Sequence, residues 1–176
     1  MTKIEQIEIP LSKKKMLLAF FGAIVFVGFG VLFLINPSIF ANRNPTVVSI
    51  VGLSSVLFFG LGIVTIFRKL LDKKAGIIIN KQGIMDNSSG ASAGLILWSD
   101  IERIKTSKVK GQKFLMLVVK NPRDYIDRVV NPLKRKAMEM NYRIYGSPIS
   151  ISANTLQTNF DNLYKLLTEK MKEYKL

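Results

Sequence analysis

MLLAFFGAIVFVGFGVLFLI, Met16 to Ile35, and TVVSIVGLSSVLFFGLGIVTIF, Thr46 to Phe67, contain no charged residue and are separated only by NPSIFANRNP. A helix rises about 1.5 Å per residue, so each run covers the roughly 30 Å hydrocarbon layer of a bilayer with its backbone groups paired internally. The reading is a transmembrane helical hairpin. Asn36-Pro37 and Asn44-Pro45 disfavour helix at the residue before each proline, ending the first span and starting the second. Ala19, Ala23 and Gly30 fall on one face of the first span, and Gly52, Ser55 and Gly62 on one face of the second. Small residues let membrane helices approach closely, so these faces are expected to pack within the hairpin, with a homo-oligomer interface as the alternative. Neither span holds an ionisable residue, which leaves a proton relay or ion pathway without a candidate.

Charge orients the hairpin. The chain of 176 residues carries a formal net charge of +14. Lys13, Lys14 and Lys15 precede the first run, Arg68, Lys69, Lys73 and Lys74 follow the second, and the connecting loop has only Arg43. Lys and Arg near span ends favour the cytoplasmic side, so both termini are expected in the cytoplasm, at the inner membrane. Each such cation is also worth roughly 1 kcal/mol against an anionic leaflet. A signal peptide is the rival reading of the first run. It is disfavoured by the length of the run, by the poor small-residue spacing at Ile39-Phe40-Ala41, and by the second span.

The chain has no Cys and no His, which excludes disulfides, thiolate or imidazole metal sites, cysteine nucleophiles and histidine-based triads. No cofactor is expected. A leader, residues 1–15, precedes the hairpin of residues 16–67, and residues 75–176 are expected to form a soluble α+β domain. In the leader, Ile7, Ile9 and Leu11 alternate with Glu8 and Pro10, which fits either an edge strand or unstructured chain. Gly76 to Asn80, Lys81-Gln82-Gly83 and Ile84 to Asp86 read as strand, turn and strand. NSSGASAG, Asn87 to Gly94, is a small-residue loop that lacks the Lys-Ser/Thr of a phosphate-binding Walker sequence. Leu95 to Trp98 begin a further strand, Ser99-Asp100 is a kink, and Lys110 to Lys113 turn the chain into the apolar strand Phe114 to Val119. Trp98 is expected in the core.

A basic insert follows Pro122. Asn131 is placed to cap a helix with Pro132 at its first position, and Leu133, Ala137, Met140 and Ile144 form its apolar stripe. Lys134, Arg135, Lys136 and Arg143 occupy the polar side and Arg128 lies just before it. The helix therefore reads as a membrane-facing or partner-facing basic helix, or as one with a solvated polar face packed on its own domain. A nucleic-acid surface is not expected, because no helix-turn-helix partner is present. Ile149 and Ile151 alternate in a last strand. Thr158 with Asp161 reads as a capping box for a closing helix with the stripe Phe160, Leu163, Leu167, Met171 and Tyr174.

The segments IEIPLSKKK, NSSGASAGLILWSDI and YGSPISISAN, with the Trp98-Ser99-Asp100-Ile101 step and the Ile149 to Asn154 strand, resemble a family of two-span bacterial membrane proteins carrying a bacterial PH-like domain. The resemblance covers nearly all of the chain and brings no catalytic motif. It implies a strongly bent antiparallel sheet capped by the C-terminal helix. Phosphoinositide-binding members of the wider class place a basic cluster in the first hairpin turn, where this sequence has only Lys81. The expected function is a non-catalytic binding or scaffolding module at the membrane. Its partners would be the lipid bilayer and another protein, through Lys13, Lys14, Lys15, Arg68, Lys69, Lys73, Lys74, Arg128, Lys134, Arg135, Lys136 and Arg143. The alternatives are an enzyme acting on lipid head groups at Asp124 or Asp127, and an immunity-type protein that blocks a toxin through its spans.

Overall fold

The computed structural model describes residues 6–40, 42–89, 93–109 and 111–175. Ala41, Lys110 and the centre of the small-residue loop, residues 90–92, lie outside the described residues. The chain divides into two compact units, one of residues 13–73 and one of residues 1–12 with 74–176.

The first unit is a helical hairpin of α1 (Lys13–Ile35) and α2 (Pro45–Leu70), both long and apolar enough to cross a membrane. Only 11% of the apolar window of each helix is buried, whereas a core helix of a soluble protein would be mostly covered. The length, apolar character and largely uncovered surface of the two helices are those of a membrane-spanning hairpin. Asn44 caps α2 by accepting the Thr46 N–H at 2.9 Å, and Pro45 takes the first helical position, where a missing N–H costs nothing. The helices close on each other at Gly30 and Gly52. A Cβ on Gly30 would lie 2.8 Å from the Gly52 carbonyl oxygen, and one on Gly52 would lie 2.7 Å from that of Gly30. Ser55 Oγ donates to the Phe26 carbonyl at 2.9 Å, and the Phe26 and Phe59 rings stack with centroids 4.4 Å apart. Gly62 departs from expectation. It has open space where a side chain would stand and, with Ala19, lines an apolar groove beside the seam.

The second unit is α+β. Strands β1 (Ile7–Ile9), β2 (Ile77–Ile79), β3 (Gly83–Asp86) and β4 (Gly94–Leu97) form an antiparallel sheet in that order, and β5 (Ile101–Val109), β6 (Gln112–Val119) and β7 (Ile149–Ile151) form another. The leader thus holds a strand at Ile7–Ile9: Ile9 pairs with Ile77 and Ile7 with Ile79. Pro10 is tolerated beside β1 because it is used as an acceptor, its carbonyl taking the Gln157 N–H at 2.9 Å. Leu11 bridges to Leu156, and the Ser12 N–H donates to the Thr155 carbonyl at 2.7 Å. In the β2–β3 turn the Asn80 side chain accepts the N–H groups of Gln82 and Gly83. A single 3₁₀ turn, Trp98–Asp100, carries the chain from the first sheet to the second.

The register decides the core. Ile79, Ile84 and Ile96 stand side by side across β2, β3 and β4, and all are essentially inaccessible. Leu115 and Leu117 of β6 sit beside Ile151 and Ile149 of β7 on the inner face of the second sheet. Helix α5 (Phe160–Tyr174) closes the unit with Leu163 and Leu167 fully buried, and Trp98 is in the core, its indole N–H bonded to the Asn80 carbonyl at 2.8 Å. The α5 cap falls one residue later than the capping-box reading: Asn159, not Thr158, accepts the Asn162 N–H at 2.8 Å. Asn is as good a cap as Thr, and its position aligns Leu163 and Leu167 with the core. Between β6 and β7 lie α3 (Pro122–Asp127) and α4 (Pro132–Tyr145).

Gly52→Leu should lower the thermal stability of the full-length protein in detergent, by about 1–3 kcal/mol, because the side chain must displace backbone. Gly28→Leu, at a position with nothing within 4 Å, should leave it unchanged.

Candidate functional site

The basic collars come first. Lys13, Lys14 and Lys15 form the opening turn of α1, and Arg68 and Lys69 the last turn of α2. The helices run antiparallel, with the rings of Phe20 and Phe67 6.3 Å apart, so both collars lie at one end of the hairpin. Cations suit the C-terminal end of α2 but oppose the macrodipole at the start of α1, which has no acid in its first turn. Helix stability therefore does not account for Lys13 to Lys15. Lys69 Nζ lies 3.2 Å from Asp72 Oδ2, and Lys73 and Lys74 follow in the segment leading to β2.

The insert is held down by α3. Tyr125 is 2% exposed; its hydroxyl donates to Asp100 Oδ2 at 2.7 Å and accepts the Leu97 N–H at 3.3 Å. Burial pushes the Tyr125 phenol up to about 12 from an ordinary 10.0, with the bond to Asp100 acting in the same direction. The Arg128 guanidinium stacks 4.0 Å from the Tyr125 ring centroid and donates to the carbonyls of Ala93 at 3.0 Å and Leu95 at 2.6 Å. Those carbonyls belong to the outer edge of β4 and the residue before it, so Arg128 seals an otherwise open strand edge. Arg128, expected at a contact surface, remains exposed while its Nη2 makes both of these bonds within the domain.

Helix α4 departs most from expectation. Asn131 accepts the Lys134 N–H at 3.1 Å, and Gly146 ends the helix with φ +73, as a left-handed cap requires. Its buried residue is Met138, fully inaccessible, and the Asn141 side-chain amide donates to Ser150 Oγ at 3.0 Å. Ser150 points away from the core-facing Ile149 and Ile151, so α4 covers the outer face of the second sheet, where Met116 pairs with Ser150 and is 2% exposed. The stripe read from the sequence faces the other way: Leu133 is 80%, Met140 58% and Ile144 60% exposed, with Val130 at 95% just before the helix. The helix has two apolar aspects, and the sheet takes the one centred on Met138. The signal for it was Met138, Asn141 and Tyr145 at i, i+3, i+7 spacing.

The expected cations consequently separate. Arg135 is engaged with Asp127 at 2.6 Å and Glu139 at 3.6 Å, and Lys134 is half-buried in a shallow notch beside Ala93, Leu95 and Arg128. Lys136 and Arg143 are exposed and make no ion pair or side-chain hydrogen bond among the described residues. Asp127 is occupied by Arg135, which places it in a surface ion pair, and Asp124 stands in the first turn of α3. Among the described residues no three His, Cys, Asp or Glu side chains gather as a metal site.

Arg128→Ala should destabilise the folded protein by about 1.5–3 kcal/mol in chemical denaturation, since two carbonyls lose a charged donor. Tyr125→Phe tests the proton-linked part. The native fold holds the phenolic proton more tightly than the unfolded chain, so its contribution is complete below about pH 10 and is lost as pH rises toward 12. The stability gap between wild type and Tyr125→Phe should therefore be wider at pH 9 than at pH 11.

No family model matches the chain, and the searches of curated proteins and of solved structures return no match either.

Proposed function

We propose that this chain is a membrane-anchored, non-catalytic binding module. In this reading a PH-like domain stands at the cytoplasmic face of the inner membrane and works through the outward side of α4. The observation that carries it is the pairing of Ile9 with Ile77, which makes the hairpin an insertion between two adjacent strands of one folded unit. Such a unit is tethered at both ends, and the two ends of the hairpin are bound to the same side of any bilayer. The basic collars favour the cytoplasm for that side. The PH-like assignment draws support from the four-stranded and three-stranded antiparallel sheets closed by a C-terminal amphipathic helix. The binding role draws support from Lys136 and Arg143, which stand exposed beside an unburied apolar stripe.

The reading can be checked by placing a photo-crosslinking amino acid at Lys136 or Arg143 of the full-length protein in native membranes. Illumination should yield adducts from both positions and none from Lys165, an exposed residue of α5. Identical behaviour at all three, or no adduct at any, would remove the binding role from α4.

A further inference from the structure

The face of α4 that its own domain leaves bare is continuous and chemically graded. At about 100° per residue, Leu133, Met140 and Ile144 fall within one narrow sector roughly opposite Met138. Val130 extends that sector past the helix start, at 95% exposed. Lys136 and Arg143 border it on one side, and the half-buried Ala137 and Asn141 lead back to the sheet on the other. The nearest acid on the helix, Glu139, is turned to Arg135 at 3.6 Å, which leaves no carboxylate on the apolar sector.

We infer that this sector lies in the anionic leaflet of the membrane that the hairpin crosses, with the four apolar side chains at the boundary between head groups and acyl chains and Lys136 and Arg143 among the phosphates. The inference rests on the binding-module reading and names its partner. Three observations select a lipid surface over other occupants. An apolar sector with cations along one edge and no acid on it matches the layered chemistry of an anionic leaflet, apolar within and negative at the rim. The chain carries a net charge of +14, so a second copy seated on the same face would bring like charges together. The domain is covalently held at both Ser12 and Lys74 to helices that span the bilayer, so the leaflet is present at high effective concentration whatever else the cell contains. The opposite side of α4 is committed to the sheet through Met138 and the Asn141–Ser150 bond, so the helix is already oriented and need not fold on binding.

The absence of cysteine makes this testable residue by residue in the intact chain. Leu133→Cys, Met140→Cys, Ile144→Cys and, as a control, Lys165→Cys each supply a unique site for an environment-sensitive fluorophore. The labelled full-length proteins are placed in nanodiscs of phosphatidylglycerol with phosphatidylcholine, in nanodiscs of phosphatidylcholine alone, and in detergent. In the anionic discs, labels at 133, 140 and 144 should shift to the blue and be quenched by lipid-borne spin labels several-fold more than the label at 165. That difference should shrink in neutral discs and when Lys136→Glu and Arg143→Glu are combined. Water-like emission at all four sites in anionic discs would overturn the inference. So would shielding that appears in detergent and grows with protein concentration, which would assign the face to a second copy. If the labels stay wet in the discs while positions 136 and 143 still crosslink to a protein in native membranes, the module stands and the leaflet contact falls.

Discussion

The fold depends on a three-residue strand pairing that closes over a long helical hairpin. Ile7, Glu8 and Ile9 pair with Ile79, Ile78 and Ile77, yet residues 13–73 lie between the two strands in the chain. Closing so long a loop carries an entropic cost that grows only slowly with length, and the helices reduce it further by pairing with each other. The strand is held on both flanks. The Gly76 N–H donates to the Ile9 carbonyl at 2.9 Å, and beyond β1 the Pro10 and Leu11 carbonyls accept from the backbone and side chain of Gln157. Ile9 and Leu11 are consequently buried, and each is worth about 1.5–3 kcal/mol to the domain. The hairpin is an insertion between two adjacent strands of the α+β unit, and basic residues stand at both of its ends.

That constraint also explains what could be read in advance. The spans, the Lys81-Gln82-Gly83 turn, the kink at Ser99-Asp100 and the closing helix were legible because each is written in local periodicity and turn chemistry. The leader was not, because three alternating residues become a strand only through partners seventy positions away, and nothing local announces them. Within the hairpin, the close approach of Gly30 and Gly52 was legible as a small-residue face. Gly62 was not separable from it by spacing alone, since which end of a face is used depends on how the helices cross.

The insert shows the same limit more sharply. A helix with two apolar aspects presents a choice, and the sheet beneath settles it: Met116 and Ser150 on the outer face of β6 and β7 accept Met138 and Asn141. The stripe with the better hydrophobic pattern is then left outside. The cations sort likewise, for Arg128 ends on the carbonyls of Ala93 and Leu95 and Arg135 on Asp127, while Lys136 and Arg143 remain outward. The cations singled out in the sequence therefore fall into collars, intramolecular clasps and an outward rim.

The most direct measurement deletes the hairpin. Residues 1–12 joined through a short Gly-Ser linker to residues 74–176 should give a soluble protein that unfolds in one cooperative transition. The same protein without residues 1–12 should be markedly less stable, having lost β1, Ile9 and Leu11. Equal stability of the two would contradict the account, because the leader would then be no part of the fold and the hairpin no insertion within it.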